Sequence, residues 1–300
     1  MRYAFFPGCS MEGTARDYQL STLAVAKVLG FELPEIPEWI CCGSTAAHYT
    51  DPLLATALPA RSLLAAAKMP FPAGQTKVAV GCAACFSRLK IANLDIAAKP
   101  ELRRQVAQAL GSDYDGAIPV VHLLEILARD IGPRAVAAKV KQRLDGLKVV
   151  CYYGCLLSRP PEVAFDDVEN PTLMDQLLSA VGAETLDWPH KTECCGASCS
   201  ITEPAIVHEL GHNILAMARA AGADCIVTAC PLCQLNLDMR QKDIENKFGQ
   251  QYGLPVFYFT QLLGLALGCS SRELGLGSLI VDPKGLLAAK RIGAMGSLTT

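Results

Sequence analysis

Ten of the fourteen cysteines fall into two sets that share one order. Cys9, Cys41, Cys42, Cys82 and Cys85 read C-x31-CC-x39-C-x2-C; Cys155, Cys194, Cys195, Cys230 and Cys233 read C-x38-CC-x34-C-x2-C. A five-cysteine order that recurs is not the pattern of thiols acting as small hydrophobes, and it points to metal or redox chemistry. The plainer role suits Cys225, in a strand-like run, and Cys151, Cys199 and Cys269, which have no repeat partner.

Structural zinc takes four thiolates in a tetrahedron and has no use for a fifth. Adjacent residues of an extended chain also point to opposite sides, an awkward way to chelate one small ion. An iron–sulfur cluster spreads its irons, so that neighbours such as Cys41 and Cys42 reach different ones, and soft thiolates suit it. A cubane [4Fe–4S] cluster takes four cysteines, whereas each set offers five. Either one thiol is spare or the cluster is not a cubane. A fifth thiolate that bridges two irons, or releases and rebinds, would open an iron to a substrate sulfur, which suits catalysis. Gly43 and Gly196, just after the adjacent pairs, are expected to let the backbone approach the cluster or take a positive φ.

The elements that must position these residues also repeat. FPGC ending at Cys9 answers YYGC ending at Cys155, GCAAC answers ACPLC, and TDP at 50–52 answers TEP at 202–204. Each copy closes on a related apolar run, IPVVHLLEIL from Ile118 and LPVFYFTQLLGLAL from Leu254. Strand-like runs at 3–6, 77–80, 148–153 and 225–228 precede the cysteines. Leu20, Leu23, Ala24 and Val28 fit one helical face ended by Gly30; Leu210, Ile214, Met217, Ala218 and Ala221 fit another, ended by Gly222. Asp51–Pro52 and Glu203–Pro204 read as helix starts. Strands alternating with helices predict an α/β fold: two pseudo-symmetric repeated α/β units with mainly parallel sheets, ligands gathered at the strand C-terminal ends. The expected division is a first unit at 1–133, a linker at 134–146 whose AVAAKVKQRL could form a helix, a second unit at 147–269, and an extension at 270–300 that either docks or frays.

Three hundred residues, 51% of them hydrophobic, suffice for a large core in roughly two units of about 150 residues. A net charge of −2 gives no basic footprint for nucleic acid. The run at 3–6 and the early Cys9 leave no room for a secretory leader, and apolar runs such as 62–67 and 262–267 are far shorter than the roughly 18–20 residues of a membrane span. A soluble, cytoplasmic chain is expected. A reducing compartment would disfavour a disulfide framework.

The duplicated five-cysteine pattern resembles the CCG, or cysteine-rich, domain family, and its arrangement over about 270 residues is similar to that of heterodisulfide reductase B subunits. The resemblance implies two noncubane [4Fe–4S] clusters, one held by Cys9, Cys41, Cys42, Cys82 and Cys85 and the other by Cys155, Cys194, Cys195, Cys230 and Cys233. It implies an oxidoreductase acting on sulfur groups, cleaving a disulfide homolytically between the clusters. Electrons would come from a C-like iron–sulfur subunit and an A-like flavin subunit. The family also contains electron-relay subunits of flavin oxidoreductases and relatives in lipoyl-linked sulfur oxidation. Relay subunits commonly carry a C-x2-C-x2-C-x3-CP segment, which this sequence lacks.

Other side chains invite weighing. His190 and Lys191, just before Cys194, are placed to stabilise a leaving thiolate, against the plainer expectation of a solvated loop. Arg88 and Arg159 follow ligand cysteines and would suit an anionic substrate group, against the favoured expectation of ordinary surface positions; His122 is expected to be a core or capping histidine.

Overall fold

In the computed structural model, which describes residues 1–44 and 47–293, two parallel sheets form the centre. The first contains β1 (Ala4–Phe6), β2 (Val78–Val80) and β3 (Val120–His122) in that order. The second orders β4 (Lys148–Tyr152), β5 (Glu184–Thr185), β6 (Cys225–Thr228) and β7 (Val256–Tyr258) as β5-β4-β6-β7. Ala4 pairs with Val78 and Val78 with Val120, while Val149 pairs with Cys225 and Ile226 with Val256, all parallel. Sequences such as VAV and CIVT are buried throughout, as expected of parallel strands covered on both faces. The units therefore correspond as β1-β2-β3 to β4-β6-β7. Isolated bridges from Arg2 to Glu32 and Phe5 to Glu35 run where the second unit has β5.

Seven helices matter for the site: α1 (Arg16–Leu29), α2 (Pro52–Ala67), α3 (Ala83–Ala98), α4 (Leu173–Ala180), α5 (Pro204–Ala220), α6 (Pro231–Asp238) and α7 (Phe259–Ala266). Asp51 caps α2 as expected, accepting the Leu54 N–H at 2.9 Å. Glu203 makes no such bond, so Pro204 alone marks the start of α5.

Two expected helix faces are corrected. On α1 the buried residues include Tyr18, Ser21, Thr22, Val25 and Ala26, whereas Leu20 and Leu23 are each 43% exposed. The reason is a polar partner in the other unit. Ser21 Oγ meets Thr260 Oγ1 of α7 at 2.7 Å, Gln261 Nε2 donates to Asp17 at 3.1 Å, and Tyr18 stacks on Tyr258 with centroids 4.2 Å apart. Polar groups bury here because each is hydrogen-bonded across the seam. On α5 the buried set is Val207, Gly211, Ile214, Leu215 and Ala218; of the expected face Ile214 and Ala218 are buried, and Met217 and Ala221 pack partly buried against the core.

Between the units, helix forms only over Pro133–Ala137, and the N–H groups of Lys141 and Gln142 then bond to the Ala266 carbonyl. The extension docks as far as residue 293; residues 294–300 lie outside those described. Leu274, Leu276, Leu279, Leu287 and Ile292 are buried, the Ile280 and Val281 N–H groups bond to Asp238, and Lys290 pairs with Asp224 at 2.8 Å. Burying a leucine is worth roughly 1.5–3 kcal/mol, so this segment is part of the core.

The seam is pH-sensitive at Asp17. Burial pushes its carboxyl from an ordinary 3.8 up to about 6, against hydrogen bonds that pull the other way. A raised folded-state value means that its favourable contribution is complete below about pH 4 and is lost as pH rises through about 6. Asp17→Asn keeps an oxygen for Gln261 and removes the charge. It is expected to raise stability at pH 7.5 by about 1–2 kcal/mol, and to do little at pH 4, in urea unfolding followed by circular dichroism. Equal effects at both pH values would exclude this origin.

Candidate metal centres

The parallel sheets bring the cysteines together because the loops leaving their carboxyl ends share one edge. After β1 the chain turns through Gly8 (φ 68°) into Cys9, and after β4 through Gly154 (φ 68°) into Cys155. After β2 and β6, Cys82 and Cys230 are the N-cap residues of α3 and α6, with Cys85 and Cys233 one turn later on the same face. The adjacent pairs sit in loops ahead of α2 and α5. Their members differ in the expected way: Cys41 and Cys194 are exposed, Cys42 and Cys195 buried.

All fourteen cysteines are free thiols. Cys42 Sγ lies 3.2 Å from Cys85 Sγ, Cys195 Sγ 3.6 Å from Cys233 Sγ, and Cys41 Sγ 4.0 Å from Cys9 Sγ. The sets also meet across the seam, where Cys82 and Cys230 shift each other's acidity. Such crowding splits the acidities. Hydrogen bonds from Cys41 and then Cys85 pull Cys42 toward the thiolate, and those from Cys233 and Cys82 do the same for Cys230. Cys194 is pulled down by Cys155. Hydrogen bonding, followed by burial, pushes Cys41, Cys85, Cys155 and Cys233 up.

The glycines divide their labour differently from the sequence expectation. Gly43 and Gly196 do take positive φ (71° and 74°), but what crowds them is helix: a Cβ on Gly43 would meet Leu58 at 2.8 Å, and one on Gly196 Leu210 at 3.2 Å. Close approach to sulfur belongs to Gly8 and Gly154. A Cβ there would lie 3.1 Å from Cys85 Sγ or 3.0 Å from Cys233 Sγ. Each unit thus leaves a cradle beside its sulfurs that any side chain would fill.

All five cysteines of the second set meet at this edge: Cys155, Cys194, Cys195, Cys230 and Cys233 line one cavity of about 110 Å³, together with Ala83 and Ala84 of α3 and with Leu156, Leu232 and Tyr153. Among the described residues no three Cys, His, Asp or Glu side chains converge as they would on a single metal ion. Five unpaired soft donors around one cavity, with a glycine cradle, suit a multinuclear cluster spread over them.

The seam holds groups that the spacing of cysteines did not reveal. His122 is buried at the end of β3, its Nδ1 accepting the Leu124 N–H at 3.1 Å. Its Nε2 therefore carries the proton, bonded to the Gly81 carbonyl at 2.9 Å and also to that of Ala229, so the ring ties together the residues preceding Cys82 and Cys230. Burial pushes it down to about 4, which keeps it neutral. The expectation of a core and capping histidine holds. Tyr18 is fully buried, its phenol pushed up by burial and then by Cys230 and Cys82. Only the partner unit shows why it is there, so the sequence of its own helix carried no signal for it.

Lys191 is no solvated loop residue. It is buried, with Nζ 3.3 Å from Asp175 and 3.2 Å from the Pro171 carbonyl, and its own carbonyl accepts from Tyr153 and Gly154 at the turn into Cys155. His190 is half-buried against Trp188. Arg159 is exposed near Glu169 at 4.0 Å; Arg88 is half-buried, and neither lines the cavity.

Comparison with known proteins agrees with this geometry. The family profile described as "Cysteine-rich domain" (CCG) matches residues 3–90 and 149–238, once in each unit. The chain is 35% identical over 283 residues to the "8-methylmenaquinol:fumarate reductase membrane anchor subunit" of Wolinella succinogenes, covering 93% of this chain and 97% of that one. It is 32% identical to the B subunit of the ferredoxin/F(420)H(2)-dependent CoB-CoM heterodisulfide reductase of Methanosarcina acetivorans, covering 92% of each. A crystal structure of a hypothetical protein from Helicobacter pylori shares the fold with a TM-score of 0.72 at 12% identity, over 94% of this chain and 52% of that one. Among the described residues no helix is long and apolar enough to cross a membrane.

The cradle can be tested by a matched pair. Gly154 and Gly222 both have positive φ, but a Cβ on Gly222 meets nothing within 4 Å. Gly222→Ala is expected to cost about 1 kcal/mol for the backbone alone, and Gly154→Ala about 1–3 kcal/mol more, measured by chemical unfolding. Equal losses would show that sulfur does not crowd Gly154.

Proposed function

The chain belongs to the cysteine-rich CCG domain family, and from that premise we propose that it is the disulfide-reducing subunit of a heterodisulfide reductase-like complex. The observation that carries this reading is the cavity lined by all five cysteines of the second set together with Ala83 and Ala84, which follow Cys82 of the first set. In this reading Cys9, Cys41, Cys42, Cys82 and Cys85 hold one [4Fe–4S] cluster of noncubane form, and Cys155, Cys194, Cys195, Cys230 and Cys233 the other. The units divide at 134–146. Bound clusters would supply single electrons to a sulfur–sulfur bond.

The chemistry is RS–SR′ + 2 e⁻ + 2 H⁺ → RSH + R′SH, with electrons drawn from iron–sulfur and flavin partner subunits. The chain's own residues prepare the place. Leu156, Leu232, Ala83 and Ala84 give the cavity of the second set an apolar lining. The Ala83 N–H at the start of α3 donates to the Cys230 sulfur, and a helix N-terminus favours negative charge there. His122 fixes the two strand ends against each other while remaining neutral.

A second reading rests on the 35% identical relative whose name places it in a fumarate reductase: an electron-relay subunit that passes electrons without touching a disulfide. The two part in one experiment on anaerobically purified protein. Iron and acid-labile sulfide should each be about eight per chain, as two four-iron clusters require; zinc without sulfide would sink both readings. Addition of a disulfide to the reduced protein should then give a paramagnetic signal that depends on the thiol released. A spectrum indifferent to disulfide would leave the relay.

A further inference from the structure

The two units keep the same thiols but cover them differently. Around the first set lies an open groove of about 570 Å³ lined by Cys9, Cys41, Glu12, Glu35, Glu38, Trp39 and the short run 36–40 between them. Cys9, Cys41 and the three glutamates are solvent-accessible. Among the described residues no lysine or arginine lines this groove; Arg61 and Lys68 belong to a neighbouring cleft that shares Pro37 and Glu38. Trp39 rests edge-on against Phe6 at the end of β1, centroids 5.3 Å apart, and its Nε1 donates to Glu35 at 3.0 Å.

Counted from the cysteines, the corresponding positions of the second unit are sealed. Where the first has Glu12, Glu35, Glu38 and Trp39, the second has Ser158, Trp188, Lys191 and Thr192. These are 2%, 4%, 6% and 8% exposed. Trp188 donates to the Cys151 carbonyl, and Lys191 is spent on Asp175. Duplication has thus preserved the donor set, with Cys41 and Cys194 both exposed, while the side chains flanking it are buried in one copy and form an acidic, aromatic-floored groove in the other.

From this asymmetry, and resting on the cluster reading above, we infer that the groove at Cys9 and Cys41 is the docking site of a redox protein with a basic rim, and that electrons pass between partner and chain through the first set. Three carboxylates without a lining cation complement such a rim and steer it. Exposed Cys9 and Cys41 would let a partner's redox centre approach the cluster they hold in that reading. Each encounter moves one electron, reducing the acceptor centre by one and oxidising the donor by one.

The probe is mitochondrial-type cytochrome c, a small basic haem protein. Its binding to the full chain is measured by calorimetry at low salt, without need of iron. On the same cluster-loaded, pre-reduced sample its haem is followed as ferric iron becomes ferrous, with iron and sulfide assayed alongside. The triple variant E12K/E35K/E38K should weaken binding and slow haem reduction at least tenfold and abolish their salt dependence, while a small neutral quinone is still reduced at the parent rate. E193K/E203K, beside the second set, should match the parent. Unchanged cytochrome c binding in the triple variant, or loss in E193K/E203K instead, overturns the docking site. Absence of iron and sulfide marks failure of the cluster reading, read separately from binding.

Discussion

Sulfurs packed 3.2–4.0 Å apart cannot all be anions at once. Two thiolates about 3.6 Å apart repel by about 4–5 kcal/mol at an effective dielectric near 20, and each set contains five thiols. The fold brings them together regardless, because parallel strands send every outgoing loop to one edge. As thiols they share protons, which is why one member of a contact is pulled toward the anion while its neighbour is pushed away. Positive charge placed among them would reverse that balance, letting all five ionise. Ligand deprotonation and folding of this edge are in that sense one equilibrium.

The same edge is where the units meet, so the seam must be built to hold cysteines in register. It is held by paired polar groups and aromatic stacking more than by an apolar wall. Ser21 with Thr260, Asp17 with Gln261, and Tyr18 on Tyr258 join α1 to the β7–α7 corner. Leu274 of the extension then packs on Gly264, and Gly275 passes over Asp17, where a Cβ would lie 2.6 Å from the aspartate's own. Directional contacts of this kind specify one arrangement, which two adjoining cysteine sets require.

How much of this was legible follows from where each signal resides. The strands and the convergence of the second cysteine set were readable because a buried parallel strand is a continuous apolar run, and because a duplicated spacing cannot hide. The cap at Asp51 and the stop at Gly30 were readable because both are local. The inward face of α1 was not, since Leu20 and Leu23 look like core residues until the polar partners of Ser21 and Asp17 are placed by another unit. AVAAKVKQRL has helical composition, yet helix ends at Ala137: the Lys139 and Val140 N–H groups close tight turns onto Val136 and Ala137, and those of Lys141 and Gln142 are taken by Ala266. The glycine roles were exchanged for the same reason: φ is a property of one residue, whereas crowding depends on what packs there.

Pseudo-symmetry then allows the units to be compared as two solutions to one problem. His122 and Tyr258 occupy the same place, capping the helix after the last strand, but one bonds to carbonyls of both units and the other stacks on Tyr18. Ala83 and Pro231 also correspond, each following a seam cysteine into its helix. Ala83 has an N–H to give to the Cys230 sulfur; proline has none to return to Cys82. Cys230 is drawn toward the thiolate first by Cys233 and Cys82 and further by that N–H, while Cys82 is pushed up first by its bond to Cys230. One imino acid at the first turn of α6 thus gives the two seam cysteines unlike surroundings, although the strands and spacings that deliver them are alike.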